Sequence, residues 1–387
     1  MPKLAISNAR LFDPATGVDK LGDLLVENGL IAAFGTDLFA EGLSPDIQNI
    51  DADGLLLAPG LIDMRVVTGE PGAEHKETLA SAGKAAAAGG VTSMVVMPQT
   101  NPVIDDISLV DYIGRRGEET SPVKVYAAGA LTKGLLSTHM TELGLMSDAG
   151  AVMFSNGDAP ISDTGLMRRI MAYSSAFNAL ISHRTIDQSL AGNAVAHESD
   201  FSARLGLTGA PSCAERIMAE RDMALVELTG ARYLMDLISS GETLPSVRRA
   251  KARGLDVSAS VSINHLALNE LDIGDYRTFA KLDPPLRSED DRHAVVAAIA
   301  DGTIDVISSG HDPRGPEDKR LPFADAEPGM AGAETLLSTT LTLVRDGVID
   351  LPRAFDLLAG APARLLGVDA GLLRDVIWPV LRGLDVG

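Results

Sequence analysis

The sequence predicts an α/β protein whose main part is a (β/α)8 barrel, or TIM barrel, preceded by a small β module. From residue 58 onward, eight short apolar runs alternate with helical stretches. The runs are continuously apolar, which is typical of parallel strands covered on both faces. The competing fold, an open doubly wound sheet, carries a glycine-rich phosphate-binding turn after an early strand, and no GxGxxG pattern follows one here.

Residues 1–57 form the predicted N-terminal module. The segments "LAISNARLF", "GDLLVENGLIAAFG" and "IQNIDADGLLLAPG" combine alternating apolar and polar positions with NG and DG turns. This pattern predicts antiparallel hairpins and a β-sandwich-like module. We expect residues 368–387 to return to it as a shortened, truncated completion, because "GVDAGLLRDVIWPVLRGLDVG" lacks a run of strands.

Residues 58–367 contain the eight predicted barrel strands. These are the runs "LIDMRVV", "VTSMVVMP", "VKVYAAGAL", "GAVMFSN", "NALISHR", "RYLMDLIS", "LDVSASVSINHL" and "IDVISSGH". Functional residues of such a barrel lie at the C-terminal ends of the strands and in the loops that follow. The candidates at those ends are Arg65, Val67, Pro98, Gln99, Thr132, Lys133, 156–158, His183, Arg184, Asp236, Asn264, His265 and 310–312.

Composition excludes several classes of function. The formal net charge is −20 and no run of Lys and Arg could follow a phosphate backbone, so binding to nucleic acid or to an anionic membrane is disfavoured. No segment approaches the roughly 20 apolar residues that cross a bilayer, and the N-terminus lacks a signal-peptide pattern. We therefore expect a cytoplasmic protein, and separately we expect it to form a homo-oligomer. The single cysteine, Cys213, excludes an intrachain disulfide and a Cys-based zinc site.

Several separated motifs carry a family resemblance. They are "PGLIDMRVVTGEPGAEHKETLASAGKAAAAGGVTSMVVMPQTNPVID", "KLDPPLRSEDDR", "DGTIDVISSGHDPRGPEDK" and "GMAGAET". With them the chain resembles dihydroorotases of the amidohydrolase superfamily from about residue 1 to residue 367. The resemblance implies a barrel of the metal-dependent hydrolase type, a place in pyrimidine biosynthesis, and zinc that activates a bound water and polarises the ring carbonyl of a cyclic amide.

The metal ligands that the resemblance implies are largely replaced. At the His-x-His positions after the first strand stand Arg65 and Val67, and neither side chain can ligate zinc. The remaining replacements are Asn156 and Gly157 after the fourth strand, Asp236 after the sixth, and Gly310 where the resemblance places an aspartate that is also the general base. Only His183 remains of this set, and a lone imidazole does not hold a catalytic zinc. We therefore expect no catalytic residue and no cofactor.

The implied substrate-binding residues are replaced as well. Gly69 stands where the family has an arginine that clamps a carboxylate, and Gln99 and Asp283 stand where it has asparagines. An aspartate at position 283 would repel an anionic substrate. Together with the lost ligands, this describes a vestigial pocket.

The polar residues that remain in the pocket have more than one interpretation. His183 is a relic ligand or, as we favour, a hydrogen-bonded structural histidine. Asp236 pairs with Arg65 across the barrel mouth or faces solvent. His311 and Asp312 bind an anion or a metal, or are ordinary loop residues, and Asp158 is a turn residue.

Three functional hypotheses follow. The favoured one is an inactive dihydroorotase-like protein that acts as a structural partner, with aspartate transcarbamoylase as the candidate partner by resemblance. The second is an active metal-dependent cyclic amidohydrolase with a rebuilt zinc site made of His183, Asp236, His311 and Asp312. The third is a binding protein whose emptied pocket senses a pyrimidine intermediate.

Overall fold

The computed structural model describes residues 3–373. The chain begins with a five-stranded sheet. Its strands are β1 (Leu4–Asp13), β2 (Val18–Glu27), β3 (Leu30–Gly35), β4 (Gln48–Asp51) and β5 (Leu56–Leu57). The sheet order is β3-β2-β1-β4, with β5 also paired to β1.

The hairpins of the N-terminal sheet are only partly as predicted. Strands β1, β2 and β3 are antiparallel neighbours, and the turn between β2 and β3 uses Asn28 and Gly29, both with positive φ. Strands β4 and β5 instead pair with β1 in the parallel direction, so the prediction of antiparallel hairpins was wrong for them. The reason is that residues 36–47 return the chain to the start of β1, so that β4 begins there and runs in the same direction as β1. After the turn at Asp53 and Gly54, β5 runs in that direction as well.

A second sheet forms the barrel from eight strands whose pairings are all parallel, which confirms the predicted fold class. Its strands are β6 (Leu61–Val66), β7 (Val91–Val96), β8 (Lys124–Ala130), β9 (Ala151–Ser155), β10 (Leu180–Arg184), β13 (Arg232–Asp236), β14 (Val257–Ser262) and β15 (Val306–Ser308). A parallel bridge between Val66 and His311 brings the chain after β15 beside β6 and closes the barrel. A separate short pair, β11 (Ala196–His197) and β12 (Gly209–Ala210), lies in the connection between β10 and β13.

Helices follow most barrel strands. They are α1 (Leu79–Ala88), α2 (Ile107–Thr120), α3 (Leu143–Asp148), α4 (Thr164–Ser175), α5 (Gln188–Ala191), α6 (Asp200–Leu205), α7 (Ser212–Thr229), α8 (Leu244–Ala252), α9 (Ile263–Ala267), α10 (Glu289–Ala300), α11 (Pro316–Lys319), α12 (Leu336–Arg345), α13 (Leu351–Phe355) and α14 (Ala361–Leu366). Asn264 and His265, predicted at a strand end, lie in α9, because the side chain of Ser262 caps a helix there. No helix among residues 3–373 is long and apolar enough to cross a membrane.

The core has two layers around the barrel sheet. An inner cluster, which includes Ile62, Met64, Val95 and Leu234, fills the barrel, while the larger outer cluster packs the helices against the strands. The pairing of β6 with β7 shifts register between Asp63 and Val66. A register shift of this kind changes the direction in which the side chains of the strand point.

The end of the described chain contacts the N-terminal sheet. The backbone N–H of Leu373 donates to Oδ2 of Asp13 at 3.0 Å, and the Leu373 side chain joins the apolar cluster of that sheet. Most of the tail that we predicted to return to this module, residues 374–387, lies outside the described residues.

Candidate functional site

The centre of the barrel mouth is occupied by the guanidinium of Arg65, at the C-terminal end of β6. One amino group of Arg65 pairs with Asp236, the last residue of β13, and the other pairs with Asp158 in the loop after β9. The side chains of Arg65 and Asp236 are 5% and 3% exposed, whereas Asp158 is 36% exposed. Ser260 donates to the second oxygen of Asp236 at 3.1 Å. Of the two alternatives left open for Asp236, the structure therefore shows the pairing with Arg65.

Electrostatics favour the charged form of this arginine. Burial alone lowers the pKa of Arg65, but the carboxylates of Asp236 and Asp158 outweigh that effect and raise it. Burial raises the pKa of Asp312 to about 6, the nearby charge of Asp158 adds to the increase, and Arg314 opposes it. The mouth thus contains a permanent central cation, and Asp236 and Asp158 are the carboxylates that pair with it.

The loop after β9 reaches over the mouth to Arg65. Gly157 adopts a φ of +61°, and a Cβ there would lie 2.4 Å from Oε1 of Gln99, so the turn favours glycine. Gln99 donates to Oδ2 of Asp158 at 3.0 Å. The side chain of Asn156 is fully used in hydrogen bonds: its oxygen accepts from the hydroxyl of Thr132 at 2.7 Å, and its amide nitrogen donates to Oγ of Ser137 and to the carbonyl of Ala159. Asp158, interpreted from sequence as a turn residue, is also an ion-pair partner.

His183 is fully buried and both of its ring nitrogens are engaged. Nε2 accepts from the backbone N–H of Ile161 at 3.0 Å, and Nδ1 lies 2.7 Å from Oδ2 of Asp222. Since Nε2 must therefore be the unprotonated nitrogen, Nδ1 carries the proton and donates to the carboxylate. Tyr233 donates to the same oxygen of Asp222, and Arg221 donates to the other. Neither nitrogen of His183 has a lone pair free for a metal.

Both ring nitrogens of His311 also form hydrogen bonds within the protein. Its Nδ1 accepts from the backbone N–H of Gly332 at 3.1 Å, and its Nε2 donates to Glu77 at 2.7 Å. Asp312 accepts from Arg314 at 2.6 Å. These two neighbours in sequence therefore have different partners within the loops of the mouth.

The residues present do not fit a catalytic zinc. Arg65 fills the space between Asp236 and Asp158, and His183 and His311 have no lone pair available. Within residues 3–373, no group of three or more His, Cys, Asp and Glu side chains is arranged to hold a metal ion. The structure thus gives each member of the rebuilt set His183, Asp236, His311 and Asp312 another partner and does not assemble them around one point.

Two glycines stand where the family resemblance implies larger side chains, and the structure disfavours a side chain at both positions. A Cβ at Gly69 would lie 2.1 Å from the carbonyl oxygen of Ala73, which rules out a side chain on the present backbone. Gly310 has a φ of +60°, and a Cβ there would lie 2.9 Å from Oγ of Ser262. On the present backbone, both positions therefore favour glycine over the side chains that the resemblance implies.

Beside Arg65 lies a cavity of about 30 Å³, lined in part by Val67, His265, Asp283 and Asp312. Arg184 of β10 donates to Asp283 at 2.5 Å and compensates its charge. Burial and the nearby Arg184 lower the pKa of His265 to about 4, so this imidazole is neutral at physiological pH. The cavity has room for very few water molecules.

Sequence reasoning missed Asp222, which holds His183. Asp222 lies on the buried face of α7, between Ala219 and Val226 at helical spacing. A charged residue within an apolar stripe is a detectable signal, because buried carboxylates need partners. Glu77, the partner of His311, carried no such signal because it lies in a polar loop.

Comparison with known proteins agrees with the fold and the motifs. A family model described as Dihydro-orotase-like matches residues 54–243. A protein named dihydroorotase from Syntrophotalea carbinolica is 39% identical over 372 residues, which cover 96% of this chain and 87% of that protein. A protein of the same name from Geobacter metallireducens is 38% identical with the same coverage.

Comparison with solved structures supports the same fold. The L-hydantoinase (dihydropyrimidinase) of Arthrobacter aurescens superposes with a TM-score of 0.84 at 24% identity, covering 97% of this chain and 85% of the hydantoinase. At that identity the likeness concerns the fold alone. The sequence relationship goes further: the chain belongs to the dihydroorotase family.

Proposed function

We propose that this chain is a dihydroorotase-family protein of pyrimidine biosynthesis that lacks dihydroorotase activity and acts as a structural partner in an assembly. The observation that carries the proposal is the buried guanidinium of Arg65, paired with Asp236 and Asp158 where the family's metal would be held. A cation that is part of the chain cannot supply a bound water as nucleophile. The chemistry of a cyclic amidohydrolase depends on that water.

Three separate contributions to catalysis would be missing from this chain. Zinc activates the water and polarises the carbonyl, the aspartate replaced by Gly310 transfers the proton, and the arginine replaced by Gly69 orients the substrate. Each contribution is typically worth several kcal/mol of transition-state stabilisation, and the loss of all three leaves no useful rate.

The structural role is supported by apolar side chains on the loops of the mouth. Leu136 follows β8 and is 71% exposed, Leu271 and Phe279 follow β14 and are 60% and 64% exposed, and Leu321 follows β15 and is 46% exposed. Exposed apolar side chains that form a contiguous patch are typical of interaction sites, and these four lie on loops at the same end of the barrel. Aspartate transcarbamoylase is the candidate partner through the family resemblance, and a homo-oligomer is part of the same proposal.

The alternative is a metal-dependent cyclic amidohydrolase with a rebuilt site. The observation in its favour is the 38–39% identity to proteins named dihydroorotase. It requires His183 or His311 to give up its present hydrogen bonds to bind a metal. That requirement makes it the weaker hypothesis.

A paired assay separates the two hypotheses. The purified full-length protein is tested for hydrolysis of dihydroorotate and for cyclisation of carbamoyl aspartate, with and without added zinc. The proposal expects no turnover above a buffer control in either direction, and metal-dependent turnover at ordinary enzyme rates would establish the alternative. For the structural role, the chain is mixed with the aspartate transcarbamoylase of the same organism, and the mass of the complex is measured by light scattering.

A further inference from the structure

The two partners of Arg65 are held very differently. Asp236 ends a barrel strand, is 3% exposed and accepts a second hydrogen bond from Ser260 at 3.1 Å. Asp158 lies in a loop and has a side chain that is 36% exposed. Asp236 is therefore a fixed part of the barrel, whereas Asp158 can turn toward solvent without burying an unpaired charge.

The donors that hold Asp158 form a fork suited to a carboxylate. Arg65 Nη2 donates to Oδ1, and Gln99 Nε2 donates to Oδ2 at 3.0 Å, so each oxygen has its own donor. Two N–H donors, one on each oxygen and one of them from a guanidinium, satisfy a planar carboxylate with a charge-assisted hydrogen bond. The other amino group of Arg65 donates to Asp236, so the guanidinium keeps one buried partner when Asp158 moves away.

We infer that Arg65 and Gln99 form a carboxylate-binding site that Asp158 occupies as an internal ligand, and that an external carboxylate binds by displacing Asp158 into solvent. The inference rests on the proposed function, since it requires Arg65 rather than a metal at the centre of the mouth. Its guanidinium differs from the clamp arginine of the family, whose position is Gly69, whereas Gln99 stands at a position where the resemblance implies an asparagine. The site is autoinhibited: the chain's own carboxylate competes with the ligand.

The charges and the space around the fork are compatible with this exchange. An incoming carboxylate replaces the charge of Asp158, so the balance around Arg65 is unchanged. The two other carboxylates on the cavity wall are compensated, Asp283 by Arg184 and Asp312 by Arg314. The cavity of about 30 Å³, together with the volume vacated by the Asp158 side chain, accommodates a group of the size of acetate.

The test uses the full-length protein, sodium acetate as the probe, and thermal melting at constant ionic strength against sodium chloride. Asp158→Ala removes the internal ligand. Because a competing internal ligand lowers apparent affinity by the fraction of sites it leaves open, acetate should bind this variant at least about tenfold more tightly than the parent. The melting midpoint of Asp158→Ala should rise saturably with acetate and approach that of the parent.

Further variants make the result specific. Asp158→Ser tests the same point if the alanine variant does not fold. Asp158→Ala combined with Gln99→Leu removes half of the fork and should lose most of the response. Asp301→Ala removes a surface partner of Arg248 and should respond to acetate as the parent does.

Two results would overturn the inference: an acetate response of Asp158→Ala no larger than its chloride response, or an equally strong response of the parent. Either leaves the proposed function standing, because absence of turnover is measured separately. Zinc-dependent hydrolysis by the parent would instead overturn the proposed function, whatever the acetate titration shows.

Discussion

Arg65 on the first barrel strand and Asp236 at the end of the sixth form a buried ion pair across the mouth of the barrel. Both side chains are almost fully removed from water, so Asp236 depends on Arg65 for compensation of its charge, while Arg65 also pairs with the more exposed Asp158. The pair places a fixed positive charge at the centre of the mouth. The expected effects of substitutions in this region follow from that arrangement.

Arg65→Met should strongly destabilise the protein, because it leaves Asp236 buried without a counter-charge. Loss of one partner of a buried pair costs about 3–5 kcal/mol of unfolding free energy. Urea denaturation of the parent and the variant measures this difference. The double variant Arg65→Met with Asp236→Leu should recover most of the loss, since no charge is then left unpaired. A single variant that loses less than about 1 kcal/mol would show that the pair is not a buried charge pair in solution.

Restoring the His-x-His pattern should not restore activity. The double variant Arg65→His with Val67→His still has Asn156 and Gly310 at the positions of the implied aspartates. It also deprives Asp236 of its counter-charge, so it should melt below the parent in the absence of metal. A midpoint equal to or above that of the parent would mean that Arg65 contributes nothing to the fold.

Asp222→Asn should loosen the loop after β9. The carboxylate accepts from His183, Tyr233 and Arg221, and these contacts together with the cation of Arg221 lower the pKa of Asp222 even though burial raises it. An amide cannot accept from all three donors, so we expect a loss of about 2–4 kcal/mol of unfolding free energy.

Hydrogen exchange locates that effect. Because His183 holds the N–H of Ile161, amides between residues 157 and 163 should exchange faster in Asp222→Asn. The matched control is Asp256→Asn, which removes an exposed partner of Arg232 and should leave exchange in that loop unchanged. If the amides of residues 157–163 exchange at the same rate in both variants, Asp222 does not hold this loop in place.

Asp312 should make the protein less stable as the pH rises through about 6. Burial raises its folded-state pKa to about 6, whereas an unfolded aspartate has a pKa of about 3.9. The folded state therefore binds this proton more tightly, and the resulting stability is complete below about pH 4 and is lost above about pH 6.

The contribution is measured as a difference between parent and Asp312→Asn. Buried His265, with a pKa lowered to about 4, has the opposite dependence on pH, so the parent curve alone is not diagnostic. The unfolding free energy of the parent relative to the variant should fall by about 1–2 kcal/mol between pH 4 and pH 7. Asp346→Asn, at an exposed position, should show no such difference.

The barrel was predictable because its strands are continuous apolar runs at regular intervals. The pairing of Arg65 with Asp236 was predictable for a related reason, since the ends of all barrel strands meet at one mouth. The role of Asp158 was not, because it depends on the left-handed turn at Gly157 that no periodic pattern reports. The hydrogen bonds of His183 depend on Asp222, whose approach to β10 is decided by how α7 packs against the barrel.

Zinc content of the purified full-length protein, measured by elemental analysis after incubation with zinc and desalting, tests the central claim most directly. With Arg65 in the mouth and the nitrogens of His183 and His311 engaged, we predict retained zinc far below one ion per chain. Arg65→Met should not raise it, because removal of the guanidinium does not free those nitrogens. One tightly held zinc per chain, lost on substitution of His183 by Ala, would contradict the account.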